Sequence, residues 1–380
     1  MSKGPLQGIR IVEIEGIGPA PFCGMHLADL GADVVLIERK TKGSDPGSTL
    51  PVGILKRGKR SIALDLKRPE GRNVALRIAA QSDVVVEQFR PGVMTRLGMD
   101  FDSLRAVRSN IILCSLTGYG QTGPLAKLAG HDLNYEAISG LLWMGGEEGR
   151  PPPIPAIPFG DMYGAQAVVA RVSAALFARE RGAGAQHLDV SMAGCMATAG
   201  APMLAGQTAA GAGAPGRGED VLSGGIAQYG IYETACGGFM AVAALEPKFF
   251  ALFADRVGRP EWKTEPPLPG AHQVELKRQM VALFLTRTRD EWVELLQGDD
   301  CCISPVLSPA EAAAHPHWAA NGLAAAVETD AGLSAWVEPE HGPTPEGAPP
   351  RLGEHSNDVL AQAGLSAQEI EQLRDSGVIA

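Results

Sequence analysis

The apolar positions of the chain fall into short runs separated by stripes of helical period. Residues 9–14, 34–37, 84–86 and 111–114 are nearly continuous apolar runs of three to six residues, the pattern of strands buried on both faces. Between the first two, Pro19 and Pro21 suit a first helical turn and Gly31 a helix stop. Residues 61–66 read as another short strand. Residues 70–81 carry Val74, Ile78 and alanines on one helical face. A long helix of small residues is expected over 161–181, then a strand over 187–192. Strand alternating with helix in this rhythm predicts an α/β fold with a doubly wound, Rossmann-like parallel sheet.

The pattern changes after residue 204. Residues 205–218 are almost entirely Gly and Ala with single polar residues, which reads as a linker. Beyond it come β-like segments at 229–234 and 239–244 and helices from Pro247, near Val274 and over 291–296. The expected organisation is a large α/β domain from 1–204 plus 325–380, a linker at 205–225, and a smaller α+β domain at 226–324. Ser308-Pro309-Ala310-Glu311 and Ser366-Ala367-Gln368-Glu369 each have the form of a capping box opening a helix.

Charge and cysteine usage narrow the function classes. A net charge of −10 over 380 residues offers no global field for nucleic acid or an anionic membrane. Any anionic ligand must be held by a local group of cations. No run of 18 apolar residues exists, so no membrane span is expected. The six cysteines lack CxxC spacing, consistent with reduced thiols and a cytoplasmic setting. His315-Pro316-His317 has no helical ligand spacing, and no metal site is expected.

Candidate chemistry concentrates in the turns. Gly16-Ile17-Gly18-Pro19-Ala20-Pro21 holds the first two glycines of a dinucleotide fingerprint, with Pro21 in place of the third and Glu38 about 20 residues on. A nucleotide-sized ligand at a helix N-terminus and an ordinary tight turn both fit. Arg39 and Lys40 and the cluster Lys56-Arg57-Gly58-Lys59-Arg60 are candidate phosphate ligands or solvated charges. His131, in Gly130-His131-Asp132, lies among glycine and polar residues rather than on an apolar stripe. Asp161 opens a helix, where a plain N-cap held ionised by the helix dipole competes with a general base. Glu246 precedes Pro247, which favours an extended backbone at a strand end.

These residues together resemble the class III CoA-transferase superfamily along nearly the whole chain. The marks are residues 7–37, 56–66, Gly118-Tyr119-Gly120 through Gly130-His131-Asp132, Gly160-Asp161, Ser304-Pro305-Val306, His315-Pro316-His317-Trp318 and Leu352-Gly353-Glu354-His355-Ser356. Gly-His-Asp at 130–132 and Ala-Leu-Glu-Pro at 244–247 point to the α-methylacyl-CoA racemase branch. The resemblance implies a racemase of 2-methylacyl-CoA thioesters that needs no cofactor, with a CoA-binding large domain and an interlocked homodimer. His131 supported by Glu246 would serve one face of the α-carbon and Asp161 the other, with the Asp132 N–H stabilising the enolate. Arg39, Lys59, Arg60 and Arg90 would meet the CoA phosphates, near the turn of Gly16 and Gly18. Leu222-Ser223-Gly224-Gly225 departs from the Leu-Asp-Gly-Gly common in the family. The alternatives are a class III CoA-transferase with Asp161 as covalent nucleophile, an NAD-dependent oxidoreductase, and a non-catalytic acyl-CoA binding protein.

Overall fold

The computed structural model describes residues 4–40, 52–296, 298–321, 324–329, 332–337 and 349–380. Six strands, β1 (Arg10–Ile14), β2 (Asp33–Glu38), β3 (Lys59–Ala63), β4 (Val84–Glu87), β5 (Ile112–Thr117) and β6 (Gln186–Ser191), form one sheet in the order β3-β2-β1-β4-β5-β6. All pairings are parallel; Val12, for example, lies opposite Val35 on one side and Val85 on the other. This is the doubly wound order the alternation predicts. Its direction reverses between β1 and β4, which opens a crevice outside the C-terminal ends of those strands.

The pleat divides the apolar runs between two faces. Val12, Ile14, Val35, Ile37, Val85 and Leu113 face one core, shared with Val74 and Ile78 of the Pro69–Ala79 helix and with Val359, Leu360 and Ile379 near the C-terminus. Ile11, Val34, Val84, Ile112, Cys114 and Val190 face the other. There they meet Cys23 and Leu27 of the Pro19–Asp29 helix and Val168 and Val172 of the Phe159–Glu180 helix. Gly164 lets the long helix sit against Met192, whose Cγ would be 2.7 Å from an added Cβ.

Strand β3 starts two residues before the expected 61–66. Its pairing with β2 runs from Val34 opposite Lys59 to Glu38 opposite Ala63, which draws two of the basic residues into the sheet.

Chain contacts divide the molecule into two compact units. The first is Met1–Ser139, Pro155–Ala199 and Pro316–Ala380; the second is Gly140–Ile154 and Gly200–His315. Residues 205–225, expected as a linker, carry most of the Ala201–Ala210 helix and the short turns Gly211–Gly213 and Val221–Ser223, and group with the second unit. Alanine is the strongest helix former, and it outweighs the glycines there. In the second unit, strands β7 (Tyr229–Glu233), β8 (Phe239–Ala243) and β9 (Ile303–Pro305) form an antiparallel sheet. Its core is aromatic: Phe284 stacks on Phe253 at 5.8 Å and on Tyr232 at 5.1 Å, with Trp262 and Trp292 fully buried beside them. Both expected capping boxes form, at Ser308–Glu311 and Ser366–Glu369. Among the described residues no helix is long and apolar enough to cross a membrane.

Candidate active site

A cavity of about 230 Å³ opens at the crevice where the strand order reverses. It is lined by Gln88 and Arg90 after β4, Gly118 after β5, then His131, Tyr135 and Asp161. The Gln88 side chain ties two of the loops together. Its Oε1 accepts from Ala20 N at 3.0 Å and its Nε2 donates to the Ile17 carbonyl at 3.0 Å. Gly16 permits this clasp, because a Cβ there would lie 2.3 Å from the Gln88 amide carbon.

The loop from Gly118 to His131 is folded around two tyrosines. Tyr119 and Tyr135 meet edge to face with centroids 5.1 Å apart, and the Tyr135 hydroxyl donates to the Gly130 carbonyl. Any Cβ at Gly118 or Gly130 would fall within 2.8 Å of the Tyr135 ring. Burial first, then the nearby Asp161 charge, pushes the Tyr135 hydroxyl up to about 12, so it stays a donor. His131 directly precedes the Asp132–Ser139 helix; its N–H donates to Asn134 Oδ1 at 3.0 Å and its carbonyl accepts from Asn134 N at 2.8 Å. The imidazole is exposed at the cavity mouth. Asp132 N–H, at the first helical position, has no acceptor among the described residues, as expected for an N-terminal donor.

Asp161 departs from expectation in two ways. It is the third residue of the Phe159–Glu180 helix rather than its cap, and Pro158 occupies the cap position. Nor does the helix N-terminus hold its carboxyl low: burial, then the charge of Asp132, raises it to about 7. Desolvation and a like charge outweigh a dipole contribution of about 1 kcal/mol or less. The N–H groups of that helix are taken by other carboxylates. Asp161 N donates to Asp132 Oδ1 at 3.1 Å, while Phe159 N donates to Glu136 Oε1 at 3.2 Å and Gly160 N also faces the Glu136 carboxylate. Asp161 itself points toward Gly18, whose φ of 75° requires glycine and where an added Cβ would lie 3.3 Å from Asp161 Oδ2.

The basic residues separate into two groups. Lys59 is fully buried and bonds Glu13 at 2.5 Å and the Pro21 carbonyl at 2.8 Å; Arg60 bonds both oxygens of Asp33. Lys56 pairs with Glu38 and Arg57 with Asp29. Both Lys59 and Arg60 are therefore corrected from phosphate ligands to structural ion pairs, because β3 carries them against acidic partners. Glu38 also accepts from Ser61 and is 2% exposed, so it is not free to hold a ribose as a dinucleotide fingerprint requires. Arg39 remains largely exposed. With Lys40 and Lys67 it lines a second cavity, of about 420 Å³, at the C-terminal ends of β1, β2 and β3. Arg90 lines the first cavity.

Glu246 belongs to the second unit. It is exposed and occupies the N-cap position of the Pro247–Arg256 helix without a side-chain capping bond, its backbone extended at φ −76° and ψ 136°, as the following proline dictates. Gln88, Tyr135, Lys67 and Glu136 were not singled out by sequence. For Glu136 a signal existed: it lies four residues after Asp132, on the same helical face.

Residues 6–356 match the profile of CoA-transferase family III. The mouse alpha-methylacyl-CoA racemase is 37% identical over 98% of this chain and 97% of its own length. The mouse succinyl-CoA:glutarate CoA-transferase is 28% identical, over 100% of this chain and 91% of its own. A solved CaiB/BaiF family protein from Brucella suis superposes with a TM-score of 0.77 at 27% identity, covering 95% of this chain and 100% of that one.

Proposed function

We propose that the chain, which belongs to CoA-transferase family III, interconverts (2R)- and (2S)-2-methylacyl-CoA thioesters by 1,1-proton transfer. The observation that carries this reading is the pairing of His131 and Asp161 on one cavity, delivered by separate elements, with Asp161 near pH 7 for proton exchange. A group half ionised near neutrality serves as base in one direction and acid in the other. One of the two removes the α-proton; the C–H electron pair moves onto the thioester oxygen, and the other group returns a proton to the opposite face. Asp132 N–H is the donor for the enolate oxygen. Glu246 orients His131 in the assembled enzyme, which we take to be a homodimer. Proton transfer of this kind calls for no redox cofactor or metal.

The thioester would reach the first cavity with its nucleotide end in the second, where Arg39, Lys40 and Lys67 supply local cations in an acidic chain. A second reading is favoured by the transferase relatives: Asp161 could carry the acyl group as an anhydride. Incubation of one enantiomer of a 2-methylacyl-CoA in deuterated water distinguishes the readings. The racemase incorporates deuterium at the α-carbon and loses optical purity without any second acid, and His131→Ala and Asp161→Ala abolish both. A transferase requires an acceptor acid and gives a hydroxylamine-trappable adduct at Asp161. Reduction of a nicotinamide would instead indicate an oxidoreductase, and binding without turnover a carrier of acyl-CoA.

A further inference from the structure

One buried carboxyl near the cavity has no part in the chemistry just described. Glu136 is 3% exposed, on the inner face of the Asp132–Ser139 helix. Its carboxylate accepts from Phe159 N at 3.2 Å and also faces Gly160 N, and it lies beside the carboxyl of Asp132. Asp132 in turn accepts from Asp161 N at 3.1 Å. Two carboxyls thus grip the first turn of the helix that carries Asp161. Gly160 leaves room for the grip, since an added Cβ would lie 3.0 Å from Asp132 Oδ1 and that carboxyl would have to shift.

Two carboxylates side by side repel, so a proton on one of them relieves the pair. Burial, then the neighbouring Asp132, raises Glu136 to about 7, in the direction that retains that proton. Asp132 is the ionisable group that acts on Glu136; Asp132 in turn acts on Asp161 of the adjoining helix and on Tyr135 of its own helix, and Tyr135 also has Tyr119 and Arg90 as neighbours. The Met192–Ala199 helix packed against the Asp132–Ser139 helix contributes Cys195.

We infer that Glu136 is a positioning residue for Asp161: with Asp132 it anchors the start of the Asp161 helix, acting through that helix rather than on substrate. The inference rests on the proton-transfer reading of Asp161. It explains how three carboxyls crowd together: a proton kept on Glu136 leaves the Asp132–Glu136 pair with one negative charge, and backbone N–H groups face that charge. Loss of the proton would set two anions against each other and loosen the turn that holds Asp161.

Glu136→Gln and Glu136→Ala in the full chain test it. Glutamine can still accept from Phe159 N beside Asp132, but cannot ionise. Glu136→Gln is expected to keep kcat for α-proton exchange within about threefold of wild type at neutral pH and to lose part of the alkaline decline. Glu136→Ala, which strands the Phe159 N–H donor, is expected to lower kcat by about tenfold or more with KM little changed. Wild-type rates and pH profile in both variants would overturn the inference, as would equal losses in both. If Glu136→Ala fails to fold, the profile of Glu136→Gln decides. The infrared carbonyl signal of protonated carboxylic acid, followed near neutral pH, should shrink in Glu136→Gln; an unchanged signal overturns the inference. That signal does not depend on turnover, so absence of exchange in the wild type would sink the racemase reading while leaving this one tested.

Discussion

Asp161→Asn should stabilise the protein at neutral and alkaline pH while abolishing proton exchange. The Asp161 carboxyl is raised from 3.8 to about 7 by burial and by Asp132. A raised carboxyl binds its proton more tightly in the folded chain than in the unfolded one. Below pH 3.8 both states hold it and stability is unaffected; as pH rises through the interval, folding loses stability until about pH 7, after which the cost is constant. The full shift corresponds to about 4 kcal/mol, and because Asp161 borders an open cavity, solvent reduces this to about 2 kcal/mol. Asparagine has the same shape and cannot ionise. Urea unfolding of wild type and Asp161→Asn across pH is therefore expected to show curves that converge near pH 4 and separate by about 2 kcal/mol near pH 8, the variant being the more stable. Glu136 and Glu87 are also raised to about 7 and slope the wild-type curve in the same direction, so the difference between the two proteins is the informative quantity. A variant less stable than wild type at pH 8, or a gap independent of pH, would refute the argument.

Other outcomes follow from the same contacts. Lys59→Met leaves the fully buried Glu13 without its ion-pair partner and should cost about 3–5 kcal/mol in a denaturation experiment, with the KM for acyl-CoA of the folded fraction unchanged. Arg39→Ala should do the reverse, raising that KM about tenfold or more with the melting temperature nearly constant. Gly160→Ala should keep the helix, which alanine favours, yet push Asp132 aside and slow α-deuterium incorporation by about tenfold or more. His131→Ala should reduce the same rate by about 100- to 10,000-fold without altering stability, since the imidazole is exposed.

Parts of the active site can be read directly along the chain. Gly118, Gly130 and Gly160 mark places where backbone approaches a side chain too closely for a Cβ, and His131 and Asp161 stand beside two of them. The basic cluster at 56–60 was misleading for a reason equally visible in the structure. Its acidic partners Glu38, Asp29, Glu13 and Asp33 lie 18 to 46 residues upstream, on β1, on β2 and at the end of the Pro19–Asp29 helix, and only the folded sheet and helix bring them together. For Glu136 the spacing of four from Asp132 puts the two carboxyls on one helical face, but that spacing is the same whether the face meets water or a neighbouring helix, and only the fold buries it.

The sequence by itself determined the strand-and-helix alternation, which depends on periodicity, and through the family resemblance it singled out His131 and Asp161, which line one cavity. Only the tertiary structure decided which cations are spent on internal ion pairs, which N–H groups are capped by Asp132 and Glu136, and that Asp161 titrates near neutrality. Desolvation and Coulomb interactions fall off with distance through space, and distance through space is what the fold supplies.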